Sequence, residues 1–177
     1  MFCGSRPGAR ADYLAAADTC GRELAAREIS LIYGGGNVGL MGALADGALA
    51  AGGHVVGVIP DFLRVREVAH AGLSECVIVD DLFQRKARMI ERADAFVALP
   101  GGIGTFDEIL EVIAWRQLRQ LRQAVGLLNV AGYFDPWQDL WRHAVAEGFV
   151  SAAELAHIIV EPDPVALIDA LLAAAAT

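Results

Sequence analysis

The chain has 177 residues, 55% of them hydrophobic and 20% charged, with a formal net charge of −8. That is ample apolar material for one globular domain and excludes a disordered chain, while the acidic balance excludes the broad basic face that nucleic-acid binding relies on. Apolar runs are broken well short of the roughly 18 residues a membrane span needs, and no basic-then-apolar leader opens the sequence, so a cytoplasmic protein with no membrane partner is expected.

In chain order, Met1, Phe2 and Cys3 stand before the turn Gly4-Ser5-Arg6-Pro7-Gly8, so the first strand is either stunted or begins upstream. Apolar runs then predict strands over 29–33, 55–59, 76–79, 95–99, 125–128 and 157–160. Amphipathic patterns predict helices over 12–27, 40–51, 82–92, 105–119, 136–147 and 164–176. Alternating strands and helices with no linker between them give an α/β chain: a Rossmann-like, doubly wound parallel sheet flanked by helices, a single nucleotide-binding domain over 1–177.

Two strands run into glycine turns that open helices. The first turn reads Gly34-Gly35-Gly36-Asn37-Val38-Gly39 and the second Pro100-Gly101-Gly102-Ile103-Gly104-Thr105. Glycines let backbone N–H groups approach a ligand, and the positive end of the helix dipole favours an anion, so a phosphorylated small molecule is the expected ligand. Two ligand-free readings stand beside this one. Thr105-x-x-Glu108 is also a capping box, and the first turn is also an ordinary tight connection.

The glycine spacing departs from the dinucleotide fingerprint, no acidic residue follows the second strand at ribose-binding distance, and there is no GxxxxGK[ST]. No cofactor is therefore expected. No metal is expected either, because His54, His70, His143 and His157 lack ligand spacing. Cys3, Cys20 and Cys76 form neither a disulfide framework nor a CxxC pair. Helix spacing puts Arg85 and Met89 on one face; Arg88 and Arg92 share it and make a solvated charge stripe the alternative for Arg85.

Phe2-Cys3-Gly4-Ser5, Tyr33-Gly34-Gly35-Gly36 with Val38-Gly39-Leu40-Met41-Gly42, Gly57-Val58-Ile59-Pro60, Gln84-Arg85-Lys86 with Met89, and Pro100-Gly101-Gly102-x-Gly104-Thr105-x-x-Glu108 together resemble the LOG ("lonely guy") family. The likeness continues through Val125-Gly126-Leu127-Leu128-Asn129 and Glu147-Gly148-Phe149. The resemblance implies a homodimeric cytokinin riboside 5′-monophosphate phosphoribohydrolase, which frees an adenine-type base and ribose 5-phosphate without a metal. Its substrate is a nucleoside 5′-monophosphate.

By the same resemblance, Arg85 and Glu108 are the catalytic pair. Glu67, Lys86 and the turn Gly102 to Glu108, with Gly101, Ile103, Gly104, Thr105 and Asp107, contact the nucleotide, and Gly4, Ser5, Gly34, Gly35 and Met89 line the pocket. Glu111 is either a second pocket carboxylate or a surface residue. Relatives are often labelled lysine decarboxylases, but Lys86, the only lysine, lacks the partners a pyridoxal enzyme needs.

The chain departs from the family pattern at Arg6, where serine is frequent, at Asp107, where glutamate is common, and at Ala114, where threonine is usual. The basic segment Arg116 to Arg122 is a further departure, at the site entrance or the dimer contact. The alternative to an enzyme is a non-catalytic protein that binds a phosphorylated ligand, resembling the molybdenum-cofactor carrier proteins on the same scaffold.

Overall fold

The computed structural model describes residues 1–64 and 69–175. Its helices and strands alternate as α1 Ala11–Ala26, β1 Leu31–Tyr33, α2 Gly39–Ala50, β2 Val55–Pro60, β3 Glu75–Val79, α3 Leu82–Glu91, β4 Ala95–Ala98, α4 Ile103–Gln117, β5 Ala124–Leu128, α5 Asp135–Ala146, α6 Ala152–Leu155, β6 Ile158–Glu161 and α7 Pro164–Ala175. Boundaries lie within two residues of those read from periodicity. The exception is α6, a single turn too short for a periodic signal; Ser151 and Glu154 close a capping box at its start.

All strand pairs are parallel, in the orders β1-β2-β3 and β4-β5-β6. Every residue of β2 and of β5 is buried, as continuous apolar runs covered on both faces must be. The two halves meet across Met1–Cys3. Phe2 bridges Ala98 in parallel, its N–H donating to the Val97 carbonyl at 2.8 Å and its carbonyl accepting from Leu99 N at 2.9 Å, while the Met1 nitrogen donates to the Ile32 carbonyl. Phe2 thus stands between the two three-stranded sheets, in the order β3-β2-β1-Phe2-β4-β5-β6.

That order fixes the place of a ligand. The chain moves outward from Phe2 to one side through β1 to β3, then returns to the other side at β4, so the switch point lies where Cys3-Gly4 and Leu99-Pro100 leave the sheet. Apolar cores fill both faces. Tyr33, Leu40, Leu44, Val55, Leu99 and Leu167 lie in one, and Phe96, Ile109, Val125, Leu127 and Phe134 in the other. Among the described residues no helix is long and apolar enough to cross a membrane.

Candidate active site

A cavity of about 530 Å³ opens at the switch point, within the usual range of small-molecule sites. The two glycine turns stand differently to it. At the first, the leading N–H groups of α2 are already taken, because Leu40 N and Met41 N donate to the Gly4 carbonyl at 3.0 and 3.3 Å. At the second, Gly102 is the N-cap of α4 and offers no side-chain cap, and the first helical bond runs from Phe106 N to the Gly102 carbonyl at 3.0 Å. The preceding N–H groups, on cavity-lining Ile103, Gly104 and Thr105, therefore have no intrahelical acceptor. Of the two turns, the second is the one whose leading helix N–H groups are not taken by the Gly4 carbonyl.

The capping-box reading of Thr105 and Glu108 does not hold. The helix begins two residues earlier, which puts Thr105 inside its first turn, and Thr105 is buried at 3% exposure. Its hydroxyl lies against Gly101, where a Cβ would fall 2.1 Å from Oγ1. This close approach is what requires glycine there. The Gly101 carbonyl also accepts a short hydrogen bond from the Tyr133 hydroxyl, so the turn is pinned from two sides.

Arg85 is 7% exposed, unlike Arg88 and Arg92, which pair on the surface with Glu91 and Glu75. The solvated-stripe alternative therefore fails for Arg85. Its Nη2 donates to the Gly34 carbonyl at 3.1 Å, and a Cβ on Gly34 would lie 1.9 Å from that nitrogen. The first glycine turn thus serves as the seat of a buried guanidinium.

Arg85 and Glu108 both line the cavity, together with Gly4, Ser5 and the residues 101–105. Both charges reach the Cys3 thiol on the cavity floor. Burial first of all pushes that thiol up to about 12, Glu108 adds to the rise and Arg85 opposes it.

The other expected site residues among those described lie around this cavity rather than on it. Gly34 and Gly35 form the wall behind Arg85, with Gly35 against Gly57 and Ile59. Met89 is 2% exposed and belongs to the core. Lys86 bridges α3 to α4 through Asp107 at 3.1 Å and Glu111 at 2.8 Å, and these carboxylates, Glu111 foremost, raise its pKa. Glu67 lies outside the described residues. Ala114 is exposed and off the cavity; the basic segment is also off the cavity, and within it the half-buried Arg116 folds back onto the Arg122 carbonyl at 2.6 Å.

Beyond the expected set the cavity is lined by Cys3, Arg6, Gly8, Leu40, Met41 and Pro100, and by Tyr13 and Tyr133, whose rings meet edge-to-face at 5.7 Å. Tyr133 follows β5, and every loop leaving the carboxyl end of a central strand belongs to this edge. That rule was the available signal.

A family model described as possible lysine decarboxylase matches residues 41–171. The residues do not fit the chemistry that description suggests. Lys86 is held as an ammonium between two carboxylates and does not line the cavity, so it is unsuited to a Schiff base.

A probable cytokinin riboside 5′-monophosphate phosphoribohydrolase of Oryza sativa subsp. japonica is 47% identical over 171 residues, 97% of this chain and 70% of the relative. A cytokinin riboside 5′-monophosphate phosphoribohydrolase of Arabidopsis thaliana is 47% identical over 163 residues, covering 92% of this chain and 75% of its own.

Among solved structures, the molybdenum cofactor binding protein of Rippkaea orientalis superimposes with a TM-score of 0.70 at 20% identity, over 95% of this chain and 92% of that one. The molybdenum cofactor carrier protein of Chlamydomonas reinhardtii does so at 0.67 and 22%, over 95% and 94%. At such identities the likeness is one of fold. Near-complete coverage at almost half identity is a likeness of sequence as well, and on it this chain belongs to the LOG family of cytokinin riboside 5′-monophosphate phosphoribohydrolases.

Proposed function

We propose that the chain hydrolyses the N-glycosidic bond of an adenosine 5′-monophosphate, N6-modified for preference, releasing the free base and ribose 5-phosphate. The observation that carries this reading is the position of Glu108 in the same cavity as the uncapped start of its own helix. Glu108 stands about one helical turn, roughly 5 Å along the axis, beyond the N–H groups of 103–105. A 5′-phosphate on those groups brings the ribose ring alongside the carboxylate.

Cleavage breaks the C1′–N9 bond and leaves positive charge on the sugar, which an anionic Glu108 stabilises. Water adds its oxygen to C1′. Its proton passes to Glu108 and from there to the departing base, so the base leaves protonated at nitrogen and the carboxylate is regenerated. Arg85 holds the Gly34 turn in place and brings a positive charge to the cavity that Glu108 also lines. The remaining members of the binding set act through position. Lys86, Asp107 and Glu111 brace α3 against α4, and Gly4, Ser5 and 101–105 form the surface on which the nucleotide lies.

A homodimer is part of the proposal. Leu110, Trp115 and Leu118 leave an apolar strip of α4 exposed, and light scattering on the purified protein reads its mass. The alternative, a non-catalytic carrier of a phosphorylated ligand, has support from fold alone and gives Glu108 no task. Chromatography separates the two: incubation with isopentenyladenosine 5′-monophosphate yields free isopentenyladenine if the chain is the hydrolase, and returns the nucleotide intact if it is a carrier.

A further inference from the structure

Arg6 lies outside the motifs that carry the family resemblance, yet it is one of two cationic side chains lining the cavity among the described residues; the other is Arg85. Arg85 is buried and committed to the Gly34 carbonyl. Arg6 is exposed, and the described residues give its side chain no hydrogen-bond or ion-pair partner. Most exposed arginines here are spent on a carboxylate, as Arg10 is on Asp12, Arg22 on Asp18, Arg88 on Glu91 and Arg142 on Asp139. Arg119 and Arg122 are without a carboxylate too, but they lie away from the cavity.

The backbone puts Arg6 beside the start of α4. The Arg6 carbonyl oxygen and the Gly101 Cα lie 3.3 and 3.2 Å from the same point above Gly4, and the Gly4 N–H donates to the Pro100 carbonyl at 3.1 Å. The charge balance asks for a cation at that place. A phosphate monoester carries about −1.5 to −2 near neutral pH, whereas a helix N-terminus offers about +0.5. Glu108 adds another negative charge to the same cavity.

We propose that Arg6 is a specificity-determining residue that contacts the 5′-phosphate opposite the N-terminus of α4, so that preference for a nucleoside monophosphate over the free nucleoside depends on it. The proposal deepens the hydrolase reading and rests on the nucleotide lying in this cavity.

The test measures binding as well as turnover. Calorimetry of AMP and of adenosine with Glu108→Gln protein, alone and combined with Arg6→Ala, is expected to show AMP affinity falling about tenfold with Arg6→Ala and adenosine affinity unmoved. Arg6→Lys, which keeps the charge and loses the fork, falls between. In turnover assays Arg6→Ala loses about tenfold in kcat/KM, mainly through KM, and its KM responds less steeply to added salt. Unchanged AMP affinity, or equal losses for AMP and adenosine, overturns the proposal. Failure of the wild-type protein to release base overturns the hydrolase reading and leaves the binding comparison intact.

Discussion

The guanidinium of Arg85 on α3 rests on Gly34, donating from Nη2 to the Gly34 carbonyl at 3.1 Å, at a point where a methyl group on Gly34 would lie 1.9 Å from that nitrogen. The two residues are 51 positions apart, and their contact ties β1 to α3 beneath the cavity. Gly34→Ala is expected to cost about 1–3 kcal/mol of stability, because a buried cation must move to admit one methyl group. Urea denaturation measures the loss. A midpoint equal to wild type would show that the guanidinium has another place to go.

Removing the cation has a larger effect. Arg85→Ala leaves the Gly34 carbonyl without its donor and opens a gap at the cavity wall, and a loss of about 2–4 kcal/mol is expected. Turnover falls with it. Arg85→Lys keeps the charge but not the reach of the fork, so it recovers part of the stability and less of the activity. Paired denaturation and kinetic measurements check that order.

At the second turn the Thr105 hydroxyl fills the space above Gly101. Gly101→Ala forces this loop away from α4 by a distance comparable to a bond length. Since a displacement of about 1 Å in a substrate-positioning group can cost about a hundredfold in rate, kcat/KM is expected to fall by that order. A crystal structure of the variant shows whether the turn has shifted.

The buried thiols and Lys86 predict alkaline sensitivity. Burial pushes Cys3 and Cys20 up to about 12 from an ordinary value of 9.0, and Glu111, with Asp107 behind it, raises Lys86 above 10.5. In each case the folded state holds its proton more tightly than the unfolded chain does. Their contribution is therefore complete below pH 9 and is lost as pH rises, at up to about 1.4 kcal/mol per pH unit for each thiol between 9 and 12. Thermal melts from pH 8 to 11 should show a steadily falling midpoint, with a shallower fall in Cys20→Ala. The same burial makes exposed Cys76 the thiol that a disulfide reagent modifies first.

How much of this was legible in the residues depends on what each signal encodes. Periodicity located the strands and the long helices, because burial on both faces of a parallel sheet writes continuous apolar runs. The glycine turn that opens α4 was legible from its spacing. Two look-alike glycine turns were not separable by composition, since what distinguishes them is the Gly4 carbonyl, distant in sequence, capping α2 and not α4. Thr105 misled for a related reason: as a cap it needs only local spacing, and its real partner is the glycine four residues before it. Family resemblance named Arg85 and Glu108, but no pattern along α3 told a buried arginine from the exposed ones at 88 and 92. That difference comes from what the sheet places opposite each.

The most direct test of the central claim compares wild type with Glu108→Gln, following free base released from isopentenyladenosine 5′-monophosphate by chromatography and nucleotide binding by calorimetry. The wild-type protein is expected to release base from the monophosphate and not from the unphosphorylated riboside. Glu108→Gln is expected to bind the nucleotide and to lose turnover by about three orders of magnitude or more, roughly what losing the charge that stabilises the transition state costs. Nucleotide binding with no base release by wild type, or a Glu108→Gln variant that turns over at the wild-type rate, would contradict the claim.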